Sequence, residues 1–192
     1  MPNADSERLA LQLADDDFSG VDALFETQQL PTPILVWNPG ANELEVRELR
    51  FLRGLWDQLR DGAELPVAPE LSPELLRPAL GHIMLLDVVD GGADFRYRLY
   101  GSKIAQRSGF DGTGKLTSEI GPSPFISTFF QACYVAAQRR RLPLFTAHIP
   151  PSQVEVQIWR RLILPLADKD GAVYRFLVGN VPGLWRSPRI VG

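Results

Sequence analysis

One arginine stands where an apolar residue would be expected. Val154, Val156, Ile158, Arg160, Leu162, Leu164 and Leu166 alternate along a run that reads as a long strand, and side chains two residues apart on a strand share a face. A charge on such a face must meet an acid, reach solvent, mark a bulge at Arg160-Arg161, or line a polar spot in a cavity. In the last case its planar fork suits a carboxylate or a phosphate. The candidate ligand site is therefore Arg160 with Ile158 and Leu162 beside it and apolar contacts from Tyr97 and Phe129. The candidate ligand is a small anionic organic molecule such as an organic acid. Asp87 and Glu155 are the internal alternatives, although Glu155 points to the opposite face by parity.

Other chemistry is thinly represented. Gly109 to Lys115 fits the first part of a phosphate-binding G-x-x-x-x-G-K loop, but Leu116 stands where a Ser or Thr would hold magnesium. It also follows a helical turn rather than a strand, so it reads as a structural turn. His82 and His148 are the only histidines and Cys133 the only cysteine. Their spacing makes no metal-ligand pattern, and one cysteine permits no intrachain disulfide. Cys133 lies on the apolar face of a helix, as a small buried hydrophobe does. Asp87, within an apolar strand, pairs across a hairpin with Arg98. No Ser-His-Asp, carboxylate or Cys-His pair stands in a motif context, so catalysis is not expected.

The elements around these residues are legible. Leu49, Leu52, Leu55, Trp56 and Leu59 fall at helical spacing, predicting a helix over 45–60 that Asp61-Gly62 ends. The run 83–89 predicts a buried strand, Asp90-Gly91-Gly92 a turn, and 95–100 an alternating partner strand. Ser123 as N-cap and Pro124 at the first helical position open a helix over 124–141, with Ile126, Phe129, Phe130, Cys133, Tyr134 and Ala137 on one face. Strands follow at 143–149, 154–166 and 172–181, the last two joined at Asp168–Gly171. The order predicts an α+β domain: a five-stranded antiparallel sheet with helices packed on one face. Ahead of it, 1–45 is an extension with short helices, a Pro31/Pro33 break, and Ile34–Trp37 as a strand or packed extended piece. The domain spans 46–185, and 186–192 is a tail.

Composition bounds the partners. The chain is 45% apolar and 22% charged with a net charge of −3, a globular profile without the basic excess of a nucleic-acid binder. No apolar run is long enough for a membrane span and no secretory pattern opens the chain. A cytoplasmic protein without nucleic-acid or membrane partners is expected. Residues 1–30 carry seven acids against one base and residues 138–192 nine bases against three acids. Such ends attract, within a monomer or across a dimer. The apolar residues of the extension and of helix 45–60 predict a homodimer contact there.

Several motifs occur together: Trp56-Asp57-Gln58-Leu59-Arg60, Leu65-Pro66, Leu85-Leu86-Asp87-Val88, Phe95-Arg96-Tyr97-Arg98-Leu99-Tyr100-Gly101, the turn Gly109–Lys115, and Arg161-Leu162-Ile163-Leu164-Pro165-Leu166. Over about 46–181 this set resembles the PAS sensory-domain superfamily, and within it a bacterial, alphaproteobacterial-type single-domain PAS family. A basic residue of that family shortly after Leu65-Pro66 is replaced by Val67 and Ala68. The resemblance implies a PAS-like sheet and a stand-alone sensory or regulatory module that binds a small organic ligand, a downstream protein partner, or both. Haem is not expected, because no histidine lies on the long helix where many haem-binding PAS domains carry it. Covalent flavin is not expected, because the Asn-Cys-Arg-Phe motif of photosensing PAS domains is missing. A ligand-free interaction scaffold and a small acid–base enzyme remain the alternatives. A dry, fully packed interior favours the first of these, and a roomy pocket with two converging ionisable groups the second.

Overall fold

A computed structural model of the 192-residue chain describes residues 4–120, 123–151 and 156–183. Six strands of the described residues form one antiparallel sheet: β1 (Ile34–Trp37), β2 (Ile83–Val89), β3 (Asp94–Tyr100), β4 (Leu144–His148), β5 (Ile158–Ala167) and β6 (Val173–Gly183), in the spatial order β1-β4-β5-β6-β2-β3. Among the described residues five α-helices accompany it: α1 (Ala4–Ala14), α2 (Ser19–Glu26), α3 (Arg47–Arg60), α4 (Ser102–Ser108) and α5 (Pro124–Arg140). The α+β class and the PAS-like antiparallel sheet are as expected. The sixth strand is the Ile34–Trp37 piece of the extension, paired with β4 at the sheet edge. The tail 186–192 lies outside the described residues, as do Val154 and Glu155 of the expected strand 154–166.

Helices cover both faces of the sheet, not one. On the first face α5 lies against β3 and β5. The second face belongs to α3. A Cβ on Gly179 of β6 would stand 2.5 Å from Leu49 Cδ2 and 2.7 Å from Leu52 Cδ1, so the helix sits directly on strand backbone there. Trp56 locks this packing by donating its indole N–H to the Pro165 carbonyl at 2.8 Å. The Leu65-Pro66 segment runs on alongside the end of β5: Ala167 N–H donates to Pro66 O at 2.9 Å and Ala68 N–H to Ala167 O at 2.7 Å. Covered on both sides, β5 buries Leu162, Ile163, Leu164 and Leu166 completely. Such a strand reads as a continuous apolar run rather than an alternating one.

The N-terminal extension is part of the body. α1 packs along α5 and buries Leu9, Ala10 and Leu13. Phe25 of α2 meets Phe125 and Phe129 edge-to-face, each at 5.0 Å between centroids. Between sheet and α1, the α5 helix is buried nearly all round, including Thr128 and Gln131. The opposite charges of the two ends meet within the chain: Arg139 with Glu7 at 3.5 Å and Arg140 with Asp16 at 2.5 Å. Of the apolar residues from which a homodimer was expected, Leu49, Leu52, Leu55 and Trp56 of α3 and Leu9 and Leu13 of α1 are buried inside the single chain, while Leu11 of α1 is exposed.

Turn chemistry follows the sequence closely. Gly171, at φ 86°, closes the β5–β6 turn while Asp168 Oδ1 accepts the N–H groups of Asp170 and Ala172 at 3.0 and 2.9 Å. Asp61, at φ 44°, caps α3 in the left-handed region. Ser123 has the extended backbone of an N-cap, but its side chain makes no capping bond and Oγ has no partner.

Candidate functional site

The residues proposed for a ligand from sequence fall into two groups on opposite faces of the sheet. Strand pairing aligns Arg161 with Thr146 and Asn180, and Arg160 with Ala147 and Val181. The ladder is regular at Arg160-Arg161, so no bulge occurs there; β5 shifts register only at Leu166/Ala167. Ile158, Arg160 and Leu162 therefore share the α3 face, while Tyr97 and Phe129 lie on the α5 side. Arg160 is half-buried in an open groove with Ile34, Val36, Glu43 and Glu45, its Nη1 directly above Gly183. The arginine that enters the space beneath α5 is Arg161.

That space is a small cavity of about 50 Å³, open on one side. Its polar floor is Arg161, Asn180, His148 and the rings of Tyr97 and Tyr100. Its apolar wall is Ile120, Ile126, Phe110, Phe130 and Trp159, with Pro150 and Pro151 at the rim. Each part traces to local structure. Tyr97 is held by the Gly109–Lys115 turn, which pairs with β3 through Gly114 N–H to Tyr97 O at 2.7 Å and Tyr97 N–H to Lys115 O at 3.0 Å. Within that turn Gly109, at φ 81°, ends α4, and Asp111 Oδ1 accepts Thr113 N–H at 2.9 Å. It is a wall-forming turn rather than a phosphate cradle.

Arg161 is 3% exposed. Its Nη1 donates to the Tyr134 hydroxyl at 3.1 Å, its Nε makes a long 3.5 Å contact to Asn180 Oδ1, and its Cζ sits 3.5 Å over the Phe130 ring. Close to it, two buried polar atoms have no hydrogen-bond partner: Thr146 Oγ1, beside Arg161 on the neighbouring strand, and His148 Nδ1. Unpaired buried polar groups are uncommon, because each forfeits its hydration without replacement.

The histidine, tyrosine and cysteine side chains near the cavity are held neutral. Burial, reinforced by the Arg161 charge, lowers the His148 pKa to about 3. Burial raises Tyr100 to about 12 and Tyr97 well above its ordinary value, the Tyr134 hydroxyl adding to the latter. Cys133 is fully buried and its thiol is pushed up to about 12. None of these groups exchanges a proton readily near neutral pH, which is what general acid–base work requires. The arrangement is equipped to bind a polar or charged group.

Two other acids are accounted for within the fold. Asp87 accepts from Arg175 Nε at 2.6 Å and from Arg98 Nη1 at 3.3 Å, so the hairpin pairing with Arg98 is present and a second arginine joins it. Asp94, which no sequence pattern singled out, is 9% exposed and accepts from Thr117 Oγ at 2.6 Å, from Ser118 Oγ, and from Phe95 N–H at 2.8 Å. Burial alone would raise its carboxyl, but these hydrogen bonds outweigh burial and lower it. Among the described residues no cluster of three or more His, Cys, Asp or Glu could hold a metal ion, and no helix is long and apolar enough to cross a membrane.

A family model described as a PAS domain matches residues 44–180, more than two thirds of the chain. The chain belongs to the PAS domain family. The match begins just before α3 and ends within β6, so it covers the cavity and leaves out α1, α2 and β1. A solved structure described as that of an RNA-binding light-oxygen-voltage receptor is similar at 12% identity, covering 93% of this chain and 60% of that one, with a TM-score of 0.39. No curated protein sequence matches the chain.

Proposed function

We propose that the protein is a sensory PAS module whose signal is occupancy of the cavity beneath α5 by a small organic ligand. The observation that carries the reading is the cavity's lining. A packed core has no structural need for a buried arginine and an unpartnered histidine nitrogen at one opening, with an unpartnered threonine hydroxyl beside that arginine on the neighbouring strand. At about 50 Å³ the space is far below the ~300–1,000 Å³ of a drug-sized ligand site, so it fits a molecule of a few heavy atoms. Phe130 and Tyr134 connect the cavity to α5, and α1 rides on α5, so a shift of α5 on binding reaches the surface through α1.

A thermal-shift screen of small metabolites tests this. A ligand at 100 times its Kd stabilises by about 2.7 kcal/mol. We expect at least one chemical class to raise the Tm of the wild type and to lose that effect in Ile120→Trp, which fills the cavity mouth. No response to any class would favour the ligand-free interaction scaffold. One feature supports that second reading: Ile34 and Val36 on edge strand β1 are 40% and 38% exposed, an apolar strip suited to a protein contact.

A further inference from the structure

Two arginines are buried among the described residues, and they are treated differently. Arg53 has a carboxylate partner, Asp57 at 2.5 Å, and its remaining donors reach Pro39 O at 2.8 Å and Asn38 Oδ1 at 3.0 Å. Arg161 is more deeply buried and has only neutral company: a tyrosine hydroxyl, an amide oxygen and a phenyl face. No described Asp or Glu lies within ion-pair distance of it. Asp94 is occupied by Thr117, Ser118 and Phe95. A buried cation without a counter-charge is strongly unfavourable unless an anion joins it.

We infer that the ligand of this cavity is a small organic carboxylate gripped by Arg161, an inference that rests on the cavity being the sensory site. The guanidinium fork takes two oxygens in one plane, which matches a carboxylate. The rest of the lining is mainly apolar, from Ile120, Ile126, Phe110 and Trp159, and receives a short hydrocarbon tail rather than the further oxygens of a phosphate. The volume is well under the 150 Å³ of a cavity that holds benzene, which limits the acid to about two to four carbons.

The experiment is calorimetry and thermal shift with acetate, propionate and butyrate beside acetamide, propionamide and inorganic phosphate, at constant ionic strength. The proteins are wild type, Arg161→Gln, Arg161→Lys and Glu155→Gln. We expect a carboxylate to bind the wild type while its amide binds at least about tenfold more weakly, since charge-assisted bonds are the stronger kind. Arg161→Gln should lose that preference, and Arg161→Lys should keep a weakened one. If the glutamine variant does not fold, the wild-type comparison of acid with amide and the lysine variant still decide. Amide or phosphate binding equal to carboxylate overturns the inference, as does an unchanged response in Arg161→Gln. So does carboxylate binding seen only in Glu155→Gln, which would mean that Glu155 neutralises Arg161 internally. A neutral compound that binds and is expelled by Ile120→Trp retains the sensory site and removes the carboxylate. Silence from every class removes both.

Discussion

His148 lies among the rings of Phe129 and Phe130, each at 5.4 Å, and Phe25 at 6.2 Å. The unfolded chain takes up a proton at this histidine near pH 6.5, the folded chain only near pH 3. Its contribution to stability is therefore complete above about pH 6.5 and is lost as the pH falls toward 3, by up to ~1.4 kcal/mol per unit. Urea denaturation at pH 7, 6 and 5 should show this slope in the wild type and a flatter one in His148→Phe; parallel slopes would remove His148 as the cause. The interval avoids Asp94, whose lowered carboxyl matters only below the ordinary aspartate range. Phe129, with no exposed surface, should cost ~3–5 kcal/mol when cut to Ala. Phe130, only partly buried because it borders the cavity, should cost less. The pairing of Asp87 with Arg98 and the burial of Cys133 were legible from residue type and position. The identity of the cavity arginine was not. With Arg160 and Arg161 adjacent, parity puts one on each face, and it names the interior one only if a single face is covered. Trp159 and Ile163, on the face of Arg161, were the available sign that both faces are buried.

At the scale of elements, periodicity located α3, α5 and five strands to within a few residues, because each carries a strong apolar pattern bounded by Gly, Pro or Asp. It did not say which side α3 takes, since a helix pattern defines its own apolar face and not the surface that receives it. Gly179 holds that information, but a single glycine in a strand is ambiguous until Leu49 and Leu52 are seen over it. Gly179→Ala should place a methyl group inside normal contact distance of both leucines and destabilise by ~1–3 kcal/mol, measured by the denaturant midpoint. A wild-type midpoint would mean that α3 does not press on β6. Trp56→Phe should cost ~1–3 kcal/mol by leaving the Pro165 carbonyl without its buried donor. The near-complete burial of α5 was also hidden. Its polar positions Thr128 and Gln131 are buried as well, and α1 packs along the helix.

For the whole molecule, the N-terminal segment is a cover for α5 rather than an appendage. Leu9, Leu13, Val21 and Phe25 are at most 1% exposed, and burying each such side chain contributes ~1.5–3 kcal/mol. A chain lacking residues 1–28 should lose several degrees or more of Tm and bind a hydrophobic dye; an unchanged Tm would show the cover to be dispensable. The exposed Arg139–Glu7 and Arg140–Asp16 pairs guide this docking but add little stability, so moderate salt should leave the Tm nearly unchanged. The cover and the cavity meet on α5, which is why binding and surface output are coupled in this account. Methyl NMR reports on the site directly, because isoleucines line both openings: Ile120 and Ile126 the cavity beneath α5, Ile34 and Ile158 the groove of Arg160. With the isoleucine δ1 methyls labelled, titration with propionate should move Ile120 and Ile126 saturably while Ile34 and Ile158 stay fixed. Movement at Ile34 and Ile158 instead, or at none of the four, would contradict a ligand site at Arg161.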